Sequence, residues 1–171
     1  MTRRDAIIMA VLAATALIAA PASIDHPPTL IWNASASVPI GLYQVRPAGK
    51  LHVTELVVAA PPEPLASMLA DGGYLPRGVP LLKRVLALPG QTVCRAGRTI
   101  IVDDIDMGDA RERDGRGRPL PVWQGCRVIA EGEVFLMNWQ SADSLDGRYF
   151  GPLPVASIVG RATPLWTFEE P

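Results

Sequence analysis

The chain reads VPLLKRVLALPG over residues 79–90. Residues 81–88 form a continuous apolar run of strand length with a proline on either side, and only Lys83 and Arg84 interrupt it. A short apolar run bounded in this way is typical of a buried β-strand. The two charges inside it need a reason, because burying a charged group without a partner is costly.

Short apolar segments recur along the chain and predict one domain with a mainly β fold. The chain has 17 prolines and 15 glycines among 171 residues, and each proline disfavours a helix interior, which argues against a helical bundle. One helix is predicted at 62–70, and residues 103–118, dense in both charges, are predicted to be a solvated loop. The predicted strands are 42–46, 55–60, 81–88, two within 92–102, 123–130, 134–139 and 157–166.

Charge and cysteine content narrow the classes of function. The net charge is −1 and the isoelectric point is near 6.1, so we expect no nucleic-acid partner. Cys94 and Cys126 lie 32 positions apart without a cluster of histidines or carboxylates, so we expect no metal and no cofactor. The two cysteines would form a disulfide if this part of the chain is exported, and would be buried thiols in the cytosol.

Lysine is scarce in this chain, and its distribution singles out Lys83. Of the 16 lysines and arginines, only Lys50 and Lys83 are lysines. Lys50 lies in a predicted turn, whereas Lys83 lies in the apolar run, where its ammonium would be partly desolvated. Burial lowers the pKa of a lysine and makes the neutral amine available as a base, a part that arginine cannot take.

Residues 33–43 read NASASVPIGLY and place two hydroxyls two positions apart. If the backbone is extended there, Ser35 and Ser37 project to the same side and face one substrate. The pattern alone also fits an ordinary turn. Neither histidine of the chain is well placed for a Ser-His-Asp triad, so a serine nucleophile would need another base, and Lys83 is the candidate.

A third stretch, DSLDGRYFGP at residues 143–152, supplies support for such a base. The hydroxyl of Ser144 could hold the Lys83 amine so that its lone pair points at the nucleophile. Asp146 would stabilise the ammonium if it touched Lys83, so we expect it to pair with Arg148, two residues on along an extended chain. The stretch also fits a charged turn between strands.

Three stretches, in this order, resemble the boxes of type I signal peptidases, and in particular those of the TraF-type signal peptidases of conjugative transfer systems. They are SASVPIGLY at 35–43, LKRVLALPG at 82–90 and DSLDGRYFG at 143–151. The first box differs from the general housekeeping enzyme, which has S-M-x-P-T there, and the region between the second and third boxes is short. Both differences favour the conjugative branch.

The resemblance implies a role for each side chain of these boxes. Ser37 would be the nucleophile and Lys83 the general base. The backbone N–H of Ser37 and the hydroxyl of Ser35 would form the oxyanion hole, and Ser144 would orient the lysine. The side chains expected to brace the site are Asp146, Arg148 and Arg84.

The resemblance also implies a signal-peptidase-like β fold of mixed, partly coiled antiparallel sheets with an N-terminal transmembrane helix. Residues 1–22 would form a cytoplasmic tip and a membrane anchor. Residues 23–171 would form an extracytoplasmic peptidase domain, with a small inserted subdomain at about 92–133.

The N-terminal run fits both a cleavable signal peptide and an uncleaved anchor. Residues 6–20 carry no charge behind Arg3 and Arg4, and a helix of that length spans about 22 Å, short for a hydrocarbon core of about 30 Å. Length favours a signal peptide, but Pro21 falls inside the would-be cleavage site. With the resemblance, we expect an inner-membrane anchor, the arginines in the cytoplasm and the catalytic domain in the periplasm. Residues 24–31 are predicted to be a short, stiff linker.

Together these expectations describe a monomeric, membrane-anchored serine endopeptidase with a Ser-Lys dyad. Its partners would be membrane lipid and a pilin-like precursor with small residues before the cut, from which it removes a leader or terminal segment. Three alternatives stay open: a general-secretion signal peptidase, the self-cleaving domain of LexA-like repressors, and a non-catalytic inner-membrane component of a transfer apparatus.

Overall fold

The computed structural model describes residues 3–19 and 29–168. The helices are α1 (Arg3–Ala19), α2 (Leu65–Asp71) and α3 (Gly147–Phe150). The strands are β1 (Leu30–Asn33), β2 (Gly41–Arg46), β3 (Leu56–Ala59), β4 (Leu81–Ala87), β5 (Thr92–Ala96), β6 (Thr99–Val102), β7 (Ile105–Asp109), β8 (Gly125–Val128), β9 (Glu133–Leu136), β10 (Leu153–Pro154) and β11 (Ile158–Thr167). The predicted mainly β class is confirmed.

The strands of the described chain form two antiparallel sheets. The larger sheet has the order β1-β2-β11-β3-β4-β9-β10, and the smaller one has the order β7-β6-β5-β8. All strands of the smaller sheet come from the segment between β4 and β9. β4, which carries Lys83, therefore lies in the interior of the larger sheet, between β3 and β9.

The larger sheet is covered on both faces, which explains why β3 and β4 are almost continuously apolar. One face packs against α2, and the other packs beneath the turn that carries Ser37. A third cluster joins the two sheets. The buried residues of these clusters include Val57, Leu69 and Val85 on the α2 face, Val38, Tyr43 and Val58 on the opposite face, and Leu86, Val93, Ile100, Phe135 and Met137 between the sheets.

The first box is held against β11 by close backbone packing. Gly41 has a φ of 155°, and a Cβ there would lie 2.2 Å from the carbonyl oxygen of Trp166 and 2.6 Å from the Cα of Thr167. Two residues on, the Tyr43 hydroxyl reaches back and donates to the Pro39 carbonyl at 2.6 Å. The glycine and the tyrosine of this box therefore fix the backbone that follows Ser37.

The predicted loop at 103–118 is wrong for its first part, which forms β7. Asp103 and Asp104 have φ values of 46° and 67°, and two consecutive residues with positive φ make the tight turn of a two-residue hairpin. The Asp103 carboxylate also accepts the Thr92 N–H at 2.8 Å. The charge density of this segment therefore concealed a hairpin.

The N-terminal predictions fall partly outside the described residues. Residues 1, 2 and 20–22 of the predicted anchor lie outside them, as do residues 24–28 of the predicted linker. The end of that linker is wrong, because β1 begins at Leu30 and pairs with β2. In the part of the chain that the structure describes, no helix combines the length and the apolar character needed to cross a membrane.

Candidate active site

Lys83 lies in the middle of β4 with its side chain almost fully buried, at 5% exposure. It shares one face of the strand with Leu81 and Val85, which belong to the apolar core. Its Nζ lies 2.8 Å from the Ser144 Oγ and 3.5 Å from the Ser37 Oγ. The structure thus brings Ser37 of the first box and Ser144 of the third box to the amine of Lys83, which belongs to the second.

Burial lowers the pKa of Lys83 to about 8. Desolvation of the ammonium is the largest cause, because the core offers little solvation to a charge. The negative charge of Asp146 opposes this and raises the pKa, while the positive charge of Arg148 lowers it. The amine can therefore lose its proton close to neutral pH, as a general base requires.

Ser37 lies in a turn that follows β1, and Asn33 holds this turn together. The amide nitrogen of Asn33 lies 2.8 Å from the carbonyl oxygen of Ser35 and 3.0 Å from those of Val38 and Pro39. Asn33 is itself buried. Of the two conformations that the sequence allows at Ser35 and Ser37, the structure has the turn, which the hydrogen bonds of Asn33 hold together.

The two hydroxyls of the first box nevertheless meet. The Ser35 Oγ lies 3.3 Å from the Ser37 Oγ. The Ser35 hydroxyl also donates to the Asn33 Oδ1 at 3.0 Å, and the Ser35 N–H donates to the same oxygen at 3.2 Å. The Ser35 hydroxyl thus lies next to the Ser37 hydroxyl, and the Asn33 oxygen is its hydrogen-bond acceptor.

The third box forms a buried ion pair that supports the lysine. Asp146 caps α3 and accepts from the Arg148 Nε at 2.9 Å and Nη2 at 2.8 Å. Arg148 also donates to the carbonyl oxygens of Ser141 at 2.6 Å and Ser144 at 3.2 Å. The Asp146–Arg148 pair occurs as predicted, but across a helical turn instead of an extended chain. The pair therefore holds the backbone of the serine that contacts Lys83.

Arg84 lies apart from this cluster. Successive strand residues point to opposite faces, and the Arg84 guanidinium donates to the Thr54 carbonyl at 3.0 Å and lies 6.0 Å from the Trp139 ring centre. Its role in bracing the site stays a prediction. The sequence groups Arg84 with Lys83 because the two are adjacent in the second box. In a strand, adjacent side chains point to opposite faces, so adjacency does not bring Arg84 to the lysine.

The smaller sheet contacts the third box through Arg95, which sequence reasoning missed. Arg95 is 2% exposed and donates to the Arg148 carbonyl oxygen at 2.6 Å. Its neighbour Cys94 is joined to Cys126, directly opposite on β8, with an S–S distance of 2.04 Å. Arg95 lies two positions after the apolar Val93 and therefore on the same face of β5, which hints at its burial. Its partner, however, lies 53 residues away in the sequence.

Two grooves flank the serine turn. One, of about 690 Å³, includes Ser37 and is lined on its far side by Gln140, Ser141 and Phe168. The other, of about 460 Å³, includes Ser35 and Lys83, and most of its remaining lining is apolar.

Comparison with known proteins agrees with this geometry. The family model of "Signal peptidase, peptidase S26" matches residues 3–166. A conjugal transfer protein TraF of Agrobacterium fabrum is 35% identical over 149 residues, which cover 80% of this chain and 82% of that protein. A probable conjugal transfer protein TraF of Sinorhizobium fredii is 36% identical, with 80% and 76% covered.

More distant relatives extend the comparison. A plasmid transfer protein TraF of Escherichia coli is 30% identical over 145 residues, with 80% of this chain and 82% of that protein covered. A signal peptidase I structure from Enterococcus faecalis is 18% identical, with 68% of this chain and 99% of that chain covered and a TM-score of 0.42. The family match and the identities show that the chain belongs to the signal peptidase family, peptidase S26, and within it to the TraF-type branch.

Proposed function

We propose that the chain is a membrane-anchored serine endopeptidase in which Ser37 is the nucleophile and Lys83 the general base. The observation that supports this most is the buried Lys83 amine, 2.8 Å from the Ser144 hydroxyl and 3.5 Å from the Ser37 hydroxyl. The second distance is long for proton transfer, but such contacts commonly shorten only when substrate binds. Ser144 accepts an N–H of the amine, and the lone pair is left to accept from Ser37.

The reaction proceeds through an ester on Ser37. The Oγ of Ser37 attacks the scissile carbonyl carbon while Lys83 takes the hydroxyl proton, which forms a tetrahedral oxyanion. The carbon–nitrogen bond then breaks, and Lys83 gives its proton to the leaving amine. Water, deprotonated by the neutral Lys83, attacks the ester carbonyl. As the bond to Ser37 breaks, Lys83 returns the proton to the Ser37 oxygen, which releases the new carboxyl terminus and restores both residues.

The oxyanion would be stabilised by the backbone N–H of Ser37 and the hydroxyl of Ser35. The support for this is that the Ser35 hydroxyl lies 3.3 Å from the Ser37 hydroxyl. For this, the Ser35 hydroxyl must exchange its bond to Asn33 for one to the oxyanion. The exchange is favourable in that direction because a hydrogen bond to a charged acceptor is stronger than one to an amide.

We further propose that the enzyme works at a membrane. The apolar helix α1 exposes Ile7, Ile8 and Leu12. Beside the site, Trp32, Trp166 and Phe168 are each about half exposed and contact one another, with Trp166 and Phe168 ring centres 4.6 Å apart. Exposed tryptophans are typical of membrane interfaces. The Cys94–Cys126 disulfide fits a periplasmic location.

The proposed substrate is a pilin-like precursor of a conjugative transfer system, cut after small residues. The support is that the relatives described above are conjugal or plasmid transfer proteins. The enzyme would therefore act on one exported precursor instead of on the general set of secreted proteins.

Two variants test the proposal. Ser37→Ala and Lys83→Ala, purified in detergent, should each abolish cleavage of a leader-bearing pilin precursor, while circular dichroism shows a folded protein. Lys50→Ala removes the other lysine of the chain and should cleave at the normal rate. Cleavage retained by either dyad variant would refute the dyad. Rescue of a cell that lacks its general signal peptidase would instead assign the chain to general secretion.

A further inference from the structure

A buried asparagine outside the three boxes lies between two of them. Asn138 follows the end of β9 by two residues, and its side chain has no exposed surface. A buried amide is retained where its polar atoms have partners. The partners of Asn138 are the two stretches that carry Lys83 and Ser144.

The side chain of Asn138 binds the backbone on both sides of Lys83. Its Oδ1 accepts the Arg84 N–H at 2.9 Å, and its Nδ2 donates to the Leu82 carbonyl oxygen at 3.2 Å. The strand ladder beside β4 ends just there, after the Met137 N–H donates to the Arg84 carbonyl oxygen at 2.9 Å. The amide of Asn138 therefore takes the place of a further strand residue at the position where Lys83 needs its backbone held.

The main chain of Asn138 binds the ion pair of the third box. Its N–H donates to the Asp146 Oδ2 at 3.1 Å, and its carbonyl oxygen accepts from the Arg148 Nη2 at 3.4 Å. Arg148 in turn holds the Ser144 carbonyl oxygen. One residue thus connects the backbone of the lysine to the pair that fixes the serine against its amine.

We propose that Asn138 is a positioning residue that sets where the Lys83 amine lies between Ser144 and Ser37. The inference rests on the proposed dyad. The Lys83 Nζ is within 2.8 Å of one hydroxyl and 3.5 Å of the other, so a small displacement of β4 would place it out of reach of Ser37. Misplacement of a catalytic group by about 1 Å can lower a rate by about 10²-fold.

Asn138→Ala should therefore lower kcat about 10²-fold and leave KM close to normal, because the substrate grooves are not touched. Loss of the amide also admits water beside β4, which weakens the desolvation of Lys83. The pH at which kcat is half-maximal should rise as a result. The assay uses the full chain in detergent and a fluorescent precursor with Ala-x-Ala before the cut, over pH 6 to 10.

A second variant and a control separate positioning from stability. Asn138→Asp keeps the shape and the acceptor for the Arg84 N–H, but it loses the donor to Leu82 and adds a negative charge. It should also lower kcat and raise the pH midpoint. Ile100→Ala truncates a fully buried side chain between the sheets, so it should lower the melting temperature but preserve kcat and the pH midpoint.

Normal kcat and a normal pH midpoint in both Asn138 variants would overturn the inference. So would an equal loss of kcat in Ile100→Ala, or a failure of both Asn138 variants to fold, since either result would assign Asn138 to stability alone. Lys83→Ala in the same assay separates the two proposals. If it is inactive while the Asn138 variants are normal, only the positioning role fails. If it cleaves, the dyad fails as well.

Discussion

The surroundings of Lys83 make its amine easier to deprotonate than that of an exposed lysine. Its amine lies in an apolar strand, and the burial that lowers its pKa is opposed by Asp146 and assisted by Arg148. Arg148 is itself bound by Asp146, so the carboxylate mostly neutralises the arginine. The lysine is left with hydroxyl partners, which do not favour its charged form as a carboxylate in contact would.

The pH dependence of catalysis follows from this residue. With the neutral amine as the proposed base and a pKa of Lys83 of about 8, kcat/KM should rise with pH through about 8 and level off above it. A rate profile measured from pH 6 to 10 checks this. A profile already flat at pH 6 would show that no such lysine limits the reaction.

The same pKa predicts the pH dependence of stability. Lys83 holds its proton to about its ordinary value of 10.5 in the unfolded chain but only to about 8 when folded. The unfolded state binds more protons between these two values, so the free energy of unfolding should gain a contribution that rises with pH across that window. Denaturant titrations of wild type and Lys83→Met at pH 8 and 10 isolate the contribution. An identical change in both proteins would contradict it.

Loss of the Ser35 hydroxyl and loss of the Ser37 hydroxyl should lower the rate of cleavage to different extents. Ser35→Ala should slow cleavage about 10²–10³-fold, the usual effect of losing one oxyanion donor, whereas Ser37→Ala should stop it. Ser157→Ala, which removes a hydroxyl bonded to Pro154 outside the site, should cleave normally. A full rate in Ser35→Ala, measured as kcat with saturating precursor, would assign the oxyanion hole to other groups.

At the scale of the element, helix α3 and its cap Asp146 form the ion pair that holds Ser144 against the Lys83 amine. Asp146→Asn would leave the Arg148 charge buried without its partner, and breaking a buried pair typically costs about 3–5 kcal/mol of unfolding free energy. It would also remove the negative charge that raises the pKa of Lys83, so the pH midpoint of kcat should fall. Glu63→Gln, at the exposed Arg77–Glu63 pair, is the control and should change neither quantity. Unchanged stability in Asp146→Asn would show that the pair does not support the fold.

The elements show where prediction from sequence succeeded and where it could not. The strand around Lys83 was predictable because apolar length and flanking prolines are local signals. The sequence at Ser35 and Ser37 fitted both an extended strand and a turn, because the three carbonyl oxygens that bind Asn33 and select the turn are brought to it only by folding. Strand β7 was hidden by its charges, since the positive φ values of Asp103 and Asp104 are not readable from charge density.

At the scale of the whole molecule, the side chains of the proposed dyad were easier to single out from sequence than the groups that hold them in place. Ser37, Lys83 and Ser144 stand out by residue type and by spacing within the boxes. Asn33 and Asn138 are the two asparagines of the chain and Arg95 is one of its 14 arginines, but the roles of all three depend on partners that only the folded chain brings near. Asn138 reaches Leu82 across 56 positions of sequence, and Arg95 reaches Arg148 across 53.

The two sheets act together in this arrangement. The larger sheet carries Lys83. The smaller sheet, cross-linked by the Cys94–Cys126 disulfide, contributes Arg95, which donates to the Arg148 carbonyl oxygen in the third box. The cluster shared by the two sheets buries Leu86 and Ala87 at the end of β4. The position of the Lys83 amine therefore depends on both sheets, although the side chains that contact it come from the three short boxes.

The ester on Ser37 is the most direct sign of the proposed chemistry. The enzyme, mixed with the leader-bearing precursor and quenched in acid within one turnover, should yield a peptide containing Ser37 that is heavier by the mass of the cleaved leader, less water. Mass spectrometry should find this adduct in wild type and not in Ser37→Ala or Lys83→Ala. An adduct on any other residue, or turnover by the Ser37→Ala variant, would contradict the account.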